Sequence, residues 1–304
     1  MTQPFTHGRG VHLASGIWTS VSGAAAQSAA VDMVANNLAN SDTPAFKKDL
    51  PAFKEYLSTV ERDHDGQDIP RGPIKDKEFY PLDGKDQAFV TVEGTYTNFK
   101  QGHMRVTQSP LDLAIDGSGF LEVSTPAGIR YTRQGSLKMA MDGRLVTSEG
   151  FPVLAAGPGG VAAEAGRAPA STVGGLAASA DQAKEVAGRY INLRDRGRHL
   201  SISEKGEIYA GEDLVAKLSV KDFQDTKKLR KSGGGLYESM DPANAVAPGP
   251  LTLIRQGMLE ASNVNPVEEM TNLIKANRLF EHDLKAMKTY GDMMGREVND
   301  LGKL

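Results

Sequence analysis

The chain has 304 residues, and its 35 Lys and Arg against 38 Asp and Glu leave a formal net charge of −3. This near balance argues against a nucleic-acid partner and against binding to an anionic membrane surface. The sequence contains no cysteine, which excludes disulfide scaffolds, thiol catalysis and cysteine-based metal sites. No apolar run reaches the roughly 18 residues of a membrane-spanning helix, and the N-terminal residues lack the apolar core of a secretory signal. We therefore expect neither membrane insertion nor a cleaved signal peptide.

The first predicted segment is a helix over residues 16–45, preceded by a disordered tail over residues 1–15. Small and apolar residues recur in alternating steps of four and three, which places on one helix face Ile17, Val21, Ala24, Ser28, Val31, Ala35 and Leu38. The helical pattern should stop near Asn40, because the turn-forming residues after it end in Pro44. A face rich in small residues would let a partner helix approach closely.

The middle of the chain changes to period two. Residues 46–100 are mixed and polar with several turn signals, and they predict an irregular or extended connection that includes the apolar segment at residues 88–92. Residues 101–255 alternate apolar and polar positions between Gly-containing turns, which is typical of an antiparallel β domain. Within that domain, residues 155–188 are dominated by Ala and Gly and predict a flexible surface insertion. The expected fold class is α+β, with terminal helices enclosing an antiparallel all-β domain.

The last predicted segment, residues 256–304, is a helix that opens at Asn265 and Pro266. Two rows of residues recur every seven positions. The first row is Leu273, Phe280, Met287, Met294 and Leu301, and the second is Met270, Asn277, Leu284, Gly291 and Val298. Together the rows predict a seam of the coiled-coil type. The helix alone is equally consistent with packing on its own domain, but the apolar helix at the other end of the chain favours a module made of both.

No motif predicts a catalytic, cofactor-binding or metal-binding site, so we expect a protein that is not an enzyme and needs no cofactor. The histidines lack metal-ligand spacing, the Gly-rich runs lack phosphate-binding patterns, and the carboxylates are not grouped as an acid–base pair. A basic cluster comprises Lys221, Lys227, Lys228, Arg230 and Lys231. Asp222 and Asp225 interleave it, which favours a solvated face. A contact with a neighbouring subunit or an anionic wall polymer is the alternative.

Four stretches carry compact motifs in a fixed order. The first, residues 36–47, reads Asn-Asn-Leu-Ala-Asn-Ser-Asp-Thr-Pro-Ala-Phe-Lys, and the others are residues 110–123, 131–154 and 257–265 with 278–281. In content and order they resemble the bacterial flagellar rod and hook axial proteins. The residues that carry the resemblance are Asn36, Asn37, Leu38, Asn40, Thr43, Phe46, Gly119, Phe120, Thr132, Arg133, Gly135, Leu259, Glu260, Ser262, Asn263, Val264 and Arg278. Ala45 departs from the pattern, because the family usually has Gly there, and we expect a turn that is less demanding of a positive φ.

The resemblance implies a structural subunit of the flagellar basal-body rod that polymerises helically, with its terminal helices in the inner tube. It also implies export through the flagellar type III apparatus without a cleaved signal, and a place in the periplasmic part of the basal body. The implied partners are further copies of the chain, other rod and hook axial proteins, and the export apparatus. The residues expected to pack between subunits are Ile17, Val21, Val31, Leu38, Leu273, Phe280, Leu284, Met287, Met294 and Leu301.

Within this family the chain most resembles the proximal rod type, through residues 110–114 and 278–281. A distal rod or hook-type subunit is the alternative, since residues 56–87 could be a diverged form of the polar segment of the distal type. An alternative from another class is a peptidoglycan-directed hydrolase, for which the sequence offers no nucleophile or metal constellation.

Overall fold

The structure, a computed structural model, describes residues 9–58, 87–156, 188–194 and 200–301. These residues belong to two compact units. The helical unit is drawn from the segments up to Leu38, Asp49–Tyr96 and from Asn265 onward. The β unit is drawn from Ala39–Lys48 and Thr97–Val264. Both units are therefore assembled from stretches that are far apart in the sequence.

The helical unit contains α1 (Arg9–Ala39), α2 (Pro266–Leu301) and a two-stranded sheet of β1 (Asp49–Ser58) and β2 (Gln87–Thr97). The expected tail over residues 1–15 is too long, because helix already begins at Arg9. No proline lies between Pro4 and Pro44 to interrupt it earlier. The connection expected over residues 46–100 instead supplies both strands of the small sheet, and residues 88–92, which were expected to lie within that connection, belong to β2.

The packed face of α1 differs from the predicted one. The predicted position Ala24 is buried, together with Ala26, Ala30 and Asn37. Of the other predicted positions, Val21, Ser28 and Ala35 are exposed and Val31 and Leu38 are half-buried. The packed face therefore overlaps the predicted one only in part, because small residues such as Ala24, Ala26 and Gly23 allow the closer approach. A Cβ added to Gly23 of α1 would lie 3.2 Å from an Asp283 carboxylate oxygen of α2, so the two helices approach closely there. Coiled-coil pairing along their length stays a prediction.

The two predicted rows of α2 differ in burial within the single chain, and the seam between helices stays a prediction. Leu273, Phe280, Met287 and Met294 are half-buried, but the second row is exposed. The inward positions beside the first row are taken by Ala276, Asp283 and Tyr290, each one residue before a member of the second row. The side chains of Ile17 and Leu301 lie outside the described part of the chain. In the described residues, no helix has the length and apolar character needed to cross a membrane.

The β unit contains the predicted antiparallel strands. Their bounds are β3 Met104–Val106, β4 Leu113–Asp116, β5 Phe120–Thr125, β6 Gly128–Thr132, β7 Leu137–Met139, β8 Leu145–Thr147, β9 Leu200–Ile202, β10 Glu207–Ala210, β11 Asp213–Lys217, β12 Val220–Phe223, β13 Leu229–Gly233, β14 Leu236–Ser239, β15 Ala245–Val246, β16 Leu253–Gln256 and β17 Met258–Glu260. The largest sheet has the order β13-β14-β6-β5-β12-β15, and β9, β10 and β11 form a smaller sheet. Separate ladders join β4 to β16, β3 to β17 and β7 to β8. With its two helices, the chain is α+β, as predicted.

The segment expected as C-terminal helix over residues 256–304 begins as a strand instead. Residues 258–260 form β17, which pairs with β3 in register Met258 to Val106 and Glu260 to Met104. Helix starts only at Pro266, where the Asn265 side chain accepts a 3.2 Å hydrogen bond from the Val267 N–H. The cap and the proline together explain why the helical pattern cannot extend back to residue 256.

The core of the β unit has an aliphatic part and an aromatic part. Leu113, Ile115, Leu121 and Val123 of β4 and β5 belong to the aliphatic part. In the aromatic part, the Phe120 ring lies 5.4–5.8 Å from the rings of Phe99, Phe223 and Tyr237. Successive residues of β5 thus point into the two parts, as the period of two requires.

The predicted insertion leaves and re-enters the β unit at one place. The Ala155 N–H donates to the Arg189 carbonyl at 2.7 Å, and Arg189 Nε donates back to the Ala155 carbonyl at 3.0 Å. Arg189 Nη2 also binds the carboxylate of Glu122, which is buried, and the Ser219 hydroxyl at 3.2 Å. Residues 157–187 themselves lie outside the described residues. Arg189 therefore closes the ends of the insertion onto β5.

Replacing Arg189 with alanine should lower the free energy of unfolding by about 3 kcal/mol, because Glu122 would keep its buried charge without its cation. Urea unfolding of the full chain measures this change. Arg255→Ala is the matched control, since Arg255 pairs with Glu204 at 2.5 Å on the exposed surface and should cost under about 1 kcal/mol. Equal losses in the two variants would contradict the anchoring role.

Candidate functional site

A buried carboxylate joins three distant stretches of the β unit. Glu260 at the end of β17 accepts hydrogen bonds through Oε1 from Lys47 Nζ at 2.6 Å and from the Gly102 N–H at 2.9 Å. Its Oε2 accepts from Arg133 Nε at 2.8 Å. The side chains of Lys47 and Glu260 are 0% exposed and that of Arg133 is 4% exposed. We call these three residues the ion cluster.

Arg133 uses the rest of its guanidinium to hold the turn between β4 and β5. Its Nη1 donates to the Gly119 carbonyl at 2.9 Å, and its Nη2 donates to the carbonyls of Ile115 and Gly117 at 3.1 and 3.0 Å. The guanidinium carbon also lies 5.6 Å from the centre of the Phe120 ring. Arg133 thus satisfies carbonyls that the turn leaves without strand partners while it neutralises Glu260.

Lys47 is the second cation of the ion cluster, and it also donates to the Lys100 carbonyl at 2.8 Å. Burial lowers the pKa of the Lys47 ammonium below its usual value of 10.5; the Glu260 charge opposes this shift and the Arg133 charge adds to it. For Glu260, burial acts to raise the pKa, but the charges of Arg133 and Lys47 and their hydrogen bonds outweigh it. The Glu260 pKa therefore lies below its usual value of 4.5.

Backbone and amide hydrogen bonds reinforce the same junction. The Ala45 N–H donates to the Glu260 carbonyl at 2.8 Å. Asn263 accepts from the Lys48 N–H at 2.7 Å and donates to the carbonyls of Asn98 and Lys100 at 2.8 and 2.9 Å. The stretch that follows α1, the stretch before β3 and the stretch that follows β17 are thereby tied together.

The turn at Ala45 contradicts the expectation that replacing glycine relaxes its geometry. Ala45 has a φ of 57°, in the left-handed region that favours glycine. The residue stays there because its N–H must reach the Glu260 carbonyl, and the methyl group is buried in place. The turn is therefore as demanding with alanine as with glycine.

Two glycines allow close backbone approaches, Gly102 beside the ion cluster and Gly135 against β4. A Cβ on Gly102 would lie 2.0 Å from the Ala261 carbonyl oxygen, and a Cβ on Gly135 would lie 1.6 Å from the Leu113 carbonyl oxygen. Neither contact can be relieved by a side-chain movement, because both atoms belong to the backbone. Gly135 was selected from the sequence, whereas Gly102 was missed.

The predicted motif residues divide between the two units. Arg133 and Glu260 are members of the ion cluster, Gly119 and Phe120 contact Arg133, and Asn263 shares the Lys100 carbonyl with Lys47. Phe46 and Leu259 precede Lys47 and Glu260 in the sequence. Others in the β unit make local bonds: Thr132 to the Gly235 carbonyl at 2.9 Å, Ser262 to the Val264 N–H at 3.2 Å, and Thr43 to Asn40 at 3.2 Å. Asn36, Asn37, Leu38 and Arg278 belong to the helical unit, so one site does not gather the whole set.

Asn37 has a defined role within the helical unit. Its side-chain amide donates to the Asp49 carbonyl at 2.8 Å and its oxygen accepts from the Asp49 N–H at 3.0 Å. The side chain is buried, so these two bonds satisfy the polar groups it takes out of water. Asn37 therefore fixes the end of α1 against the start of β1.

Lys47 is the member of the ion cluster that sequence reasoning missed. It closes the motif over residues 36–47, and its place directly after Phe46 was the available signal. Two residues of the predicted basic cluster, Lys231 and Lys228, make specific contacts in the β unit. Lys231 donates to the Lys47 carbonyl at 2.6 Å with its ammonium 4.3 Å from the Phe46 ring centre, and Lys228 pairs with Asp241 at 3.0 Å.

The interactions of the ion cluster hold chain segments together. Each charged group is held by opposite charge and by backbone partners, and no proton acceptor or donor is presented to an open cleft. Within the described ranges, no group of three His, Asp or Glu side chains could hold a metal ion. The arrangement serves to join chain segments, and its energetic importance lies in the cost of removing one partner.

Three family models match the chain in order. A model described as "Flagella basal body rod protein" matches residues 17–47, one described as "Flagellar hook protein FlgE/F/G D1 domain" matches residues 114–210, and one described as "Flagellar basal body rod FlgEFG protein C-terminal" matches residues 255–301. Each matched region contributes one member of the ion cluster. Lys47 comes from the first, Arg133 from the second and Glu260 from the third.

Curated relatives match along nearly the whole chain. "Flagellar basal-body rod protein FlgF" of Caulobacter vibrioides is 31% identical over 276 residues, which cover 90% of this chain and 92% of the relative. "Flagellar basal-body rod protein FlgG" of Borreliella burgdorferi is 29% identical and covers 92% of this chain and 96% of its own length. The protein of the same name from Bacillus subtilis is 26% identical, with 93% and 97% covered.

Replacing Glu260 with glutamine should destabilise the β unit by about 3 kcal/mol at neutral pH, because two buried cations lose their counter-charge. The effect should shrink on acidification. Since the folded Glu260 pKa is depressed, its contribution is present above about pH 4.5 and is lost as the pH falls through the folded value. Urea unfolding of both proteins between about pH 7 and pH 3 measures the difference. A gap that stays constant with pH would contradict the assignment.

Ala45→Gly should leave the free energy of unfolding within about 1 kcal/mol, since relief of the left-handed strain offsets the lost methyl burial and added chain entropy. Ala45→Val should cost more than about 2 kcal/mol, because a β-branched residue tolerates this region poorly. Thermal and urea unfolding of both variants check the order. A valine variant as stable as the glycine variant would show that the turn does not constrain φ.

Proposed function

Since the chain belongs to the family of flagellar basal-body rod proteins, we propose that it assembles by helical polymerisation through its terminal helices. Membership makes it a structural subunit of the rod. Our proposal concerns how the subunit assembles, and it rests on one observation. Among the residues that the structure describes, a set of apolar residues on α2 is exposed.

The exposed stripe consists of Val267, Met270, Ile274, Leu284 and Val298. These residues lie in two neighbouring rows of the heptad, beside the half-buried row that starts at Leu273. From Val267 to Val298 these residues span about 46 Å of the helix axis at 1.5 Å per residue, in rows that also contain Asn277, Glu281 and Lys288. Heptad-spaced apolar residues on an exposed helix face are the pattern of a helix-to-helix interface. The exposed stripe is therefore a surface for another long helix.

The occupant we propose is a terminal helix of a neighbouring axial subunit, in the first place a second copy of this chain. The chain itself offers an apolar surface of this kind, because Trp18 of α1 is 61% exposed and Val21 is exposed as well. A contact between different faces of two copies does not close on itself and can extend into a helical polymer. Membership in a rod family supports this geometry.

The residues selected for subunit packing receive different roles in this proposal. Leu284 belongs to the exposed stripe and Val21 to the exposed part of α1. Leu38, Leu273, Phe280 and others are half-buried, and they would order the helical unit while the stripe meets the neighbour. Burial at about 25 cal/mol per Å² of apolar surface would offset the entropy of ordering the helices.

The finer features of location and partners are also proposals. The chain would leave the cytoplasm through the flagellar type III apparatus without a cleaved signal and would reach the periplasmic part of the basal body. Its other partners would be neighbouring rod and hook axial proteins. The proximal part of the rod is the position we propose, and the 31% identity to a FlgF protein against 29% to a FlgG protein supports it. Tagged chain in purified basal bodies would locate it along the axis.

We further propose that the chain has no catalytic activity, which agrees with a family of structural rod proteins. The alternative of a peptidoglycan-directed hydrolase predicts turnover of cell-wall glycan by the purified chain. Release of soluble glycan fragments that depends on enzyme concentration would contradict the structural assignment. The cohesive ion cluster offers no group for such a reaction.

Met270→Glu or Leu284→Glu should block incorporation into the rod, because each buries an unpaired carboxylate at every subunit contact. We expect at least about a tenfold loss of the protein from purified basal bodies and a matching loss of swimming. Quantitative immunoblots of basal bodies and soft-agar motility measure both effects in a strain that lacks the wild-type copy.

Thr289→Glu is the matched control, because Thr289 is exposed on the polar side of the same helix, away from the exposed stripe. It introduces the same charge and should leave incorporation within about twofold of wild type. Circular dichroism and urea unfolding of the purified variants establish that their folding is intact. Normal incorporation of both stripe variants would overturn the proposed interface.

A further inference from the structure

The last stretch of the β unit, residues 253–264, completes ladders that begin more than a hundred residues earlier. β16 pairs with β4 in register Ile254 to Ile115 and Gln256 to Leu113, and β17 pairs with β3. Ile254, Leu259 and Glu260 are buried in that position. We call residues 253–264 the closing segment. Without it, β3 and β4 lack their ladder partners.

The closing segment also brings the only negative side chain of the ion cluster. Lys47 and Arg133 reach Glu260 across separations of 213 and 127 residues. Before Glu260 is in place, a folded β unit would face two alternatives. It could hold two cations out of water against backbone carbonyls alone, or it could open the junction and uncover Leu113 and Ile115 of the core. Both alternatives are unfavourable.

We propose that the closing segment is a folding latch: the β unit reaches its native state only when Glu260 arrives between Lys47 and Arg133. The residues that precede the closing segment then do not form stable β structure until the closing segment is available to pair with them. The long sequence separation makes this a slow, concerted step rather than a local one. The latch thereby prevents the β unit from folding before its closing segment is available.

The use of such a latch rests on the proposed function. A subunit that passes an export channel as an unfolded chain would stay unfolded until its closing segment has also passed. The latch itself, however, is a property of the β unit alone. Its test therefore needs no flagellum, and its failure would leave the stripe experiments on rod incorporation untouched.

Native-state hydrogen exchange of the full wild-type chain in low urea tests the latch directly. The latch predicts that amides of β16, β17 and β3 exchange through the same global opening as amides of β5 and β6, with the same free energy and urea dependence. Opening of β16 and β17 at lower free energy, with β5 and β6 still protected, would overturn it. That result would mean that the core stands without the closing segment.

Pulsed hydrogen exchange during refolding supplies the kinetic test. Amides at residues 120–132 should gain protection in the same phase as those at residues 253–260. Glu260→Gln should slow that phase at least about tenfold in both regions together. The control Glu238→Gln alters a surface pair with Arg130 and should change the rate of that phase less than about twofold. Protection of residues 120–132 in an earlier phase than residues 253–260 would contradict the latch, and the wild-type measurements decide even if Glu260→Gln fails to fold.

Discussion

A carboxylate that is taken out of water must be matched by charge and by hydrogen bonds, and this constraint organises the β unit. Glu260 meets it with Lys47, Arg133 and the Gly102 N–H. Because these groups come from widely separated stretches, the sequence between them must fold so that all of them converge. The left-handed turn at Ala45 and the close approach at Gly102 are consequences of that convergence.

The ion cluster matters more for specificity than for net stability. A buried ion pair contributes little relative to apolar residues of the same shape, yet removing one partner is costly. Lys47 follows the first helix, Arg133 lies after β6, and Glu260 ends β17 shortly before the last helix. A chain in which any of the three stretches is shifted by one residue would leave a charge unmatched. The cluster thus selects the register in which the stretches that follow α1 and precede α2 enter the β unit.

The sequence predicted which helices and strands form better than it predicted which of their faces are buried. The terminal helices, the hairpins around residues 111–123 and the start of α2 at Pro266 followed from local signals: heptad spacing, alternation, and turn and cap residues. The inward faces of α1 and α2 followed only in part, through Ala24. Ala26 and Ala276 were not predicted, since they are small and their burial depends on which helix lies against them. Local patterns also did not predict β17, because its strand conformation depends on pairing with β3.

The junction residues show the same limit. Arg133 and Glu260 were selected because they belong to recognisable motifs, but nothing in a linear sequence indicates that they meet. Lys47 was quoted as the end of the motif over residues 36–47 but was not selected as a site residue. Ala45 was expected to relax a turn that it instead occupies with a positive φ. In each case the deciding partner lies more than a hundred residues away, beyond the reach of local propensity.

The central claim is that Lys47 and Glu260 act as one unit within the β unit. A double-mutant cycle with Lys47→Met, Glu260→Met and the double variant, followed by urea unfolding at neutral pH, tests it most directly. The account predicts a coupling energy of about 2 kcal/mol or more, with the double variant more stable than the sum of the single losses implies. Losses that add within about 0.5 kcal/mol would contradict it, because they would show that the two side chains stabilise the unit independently.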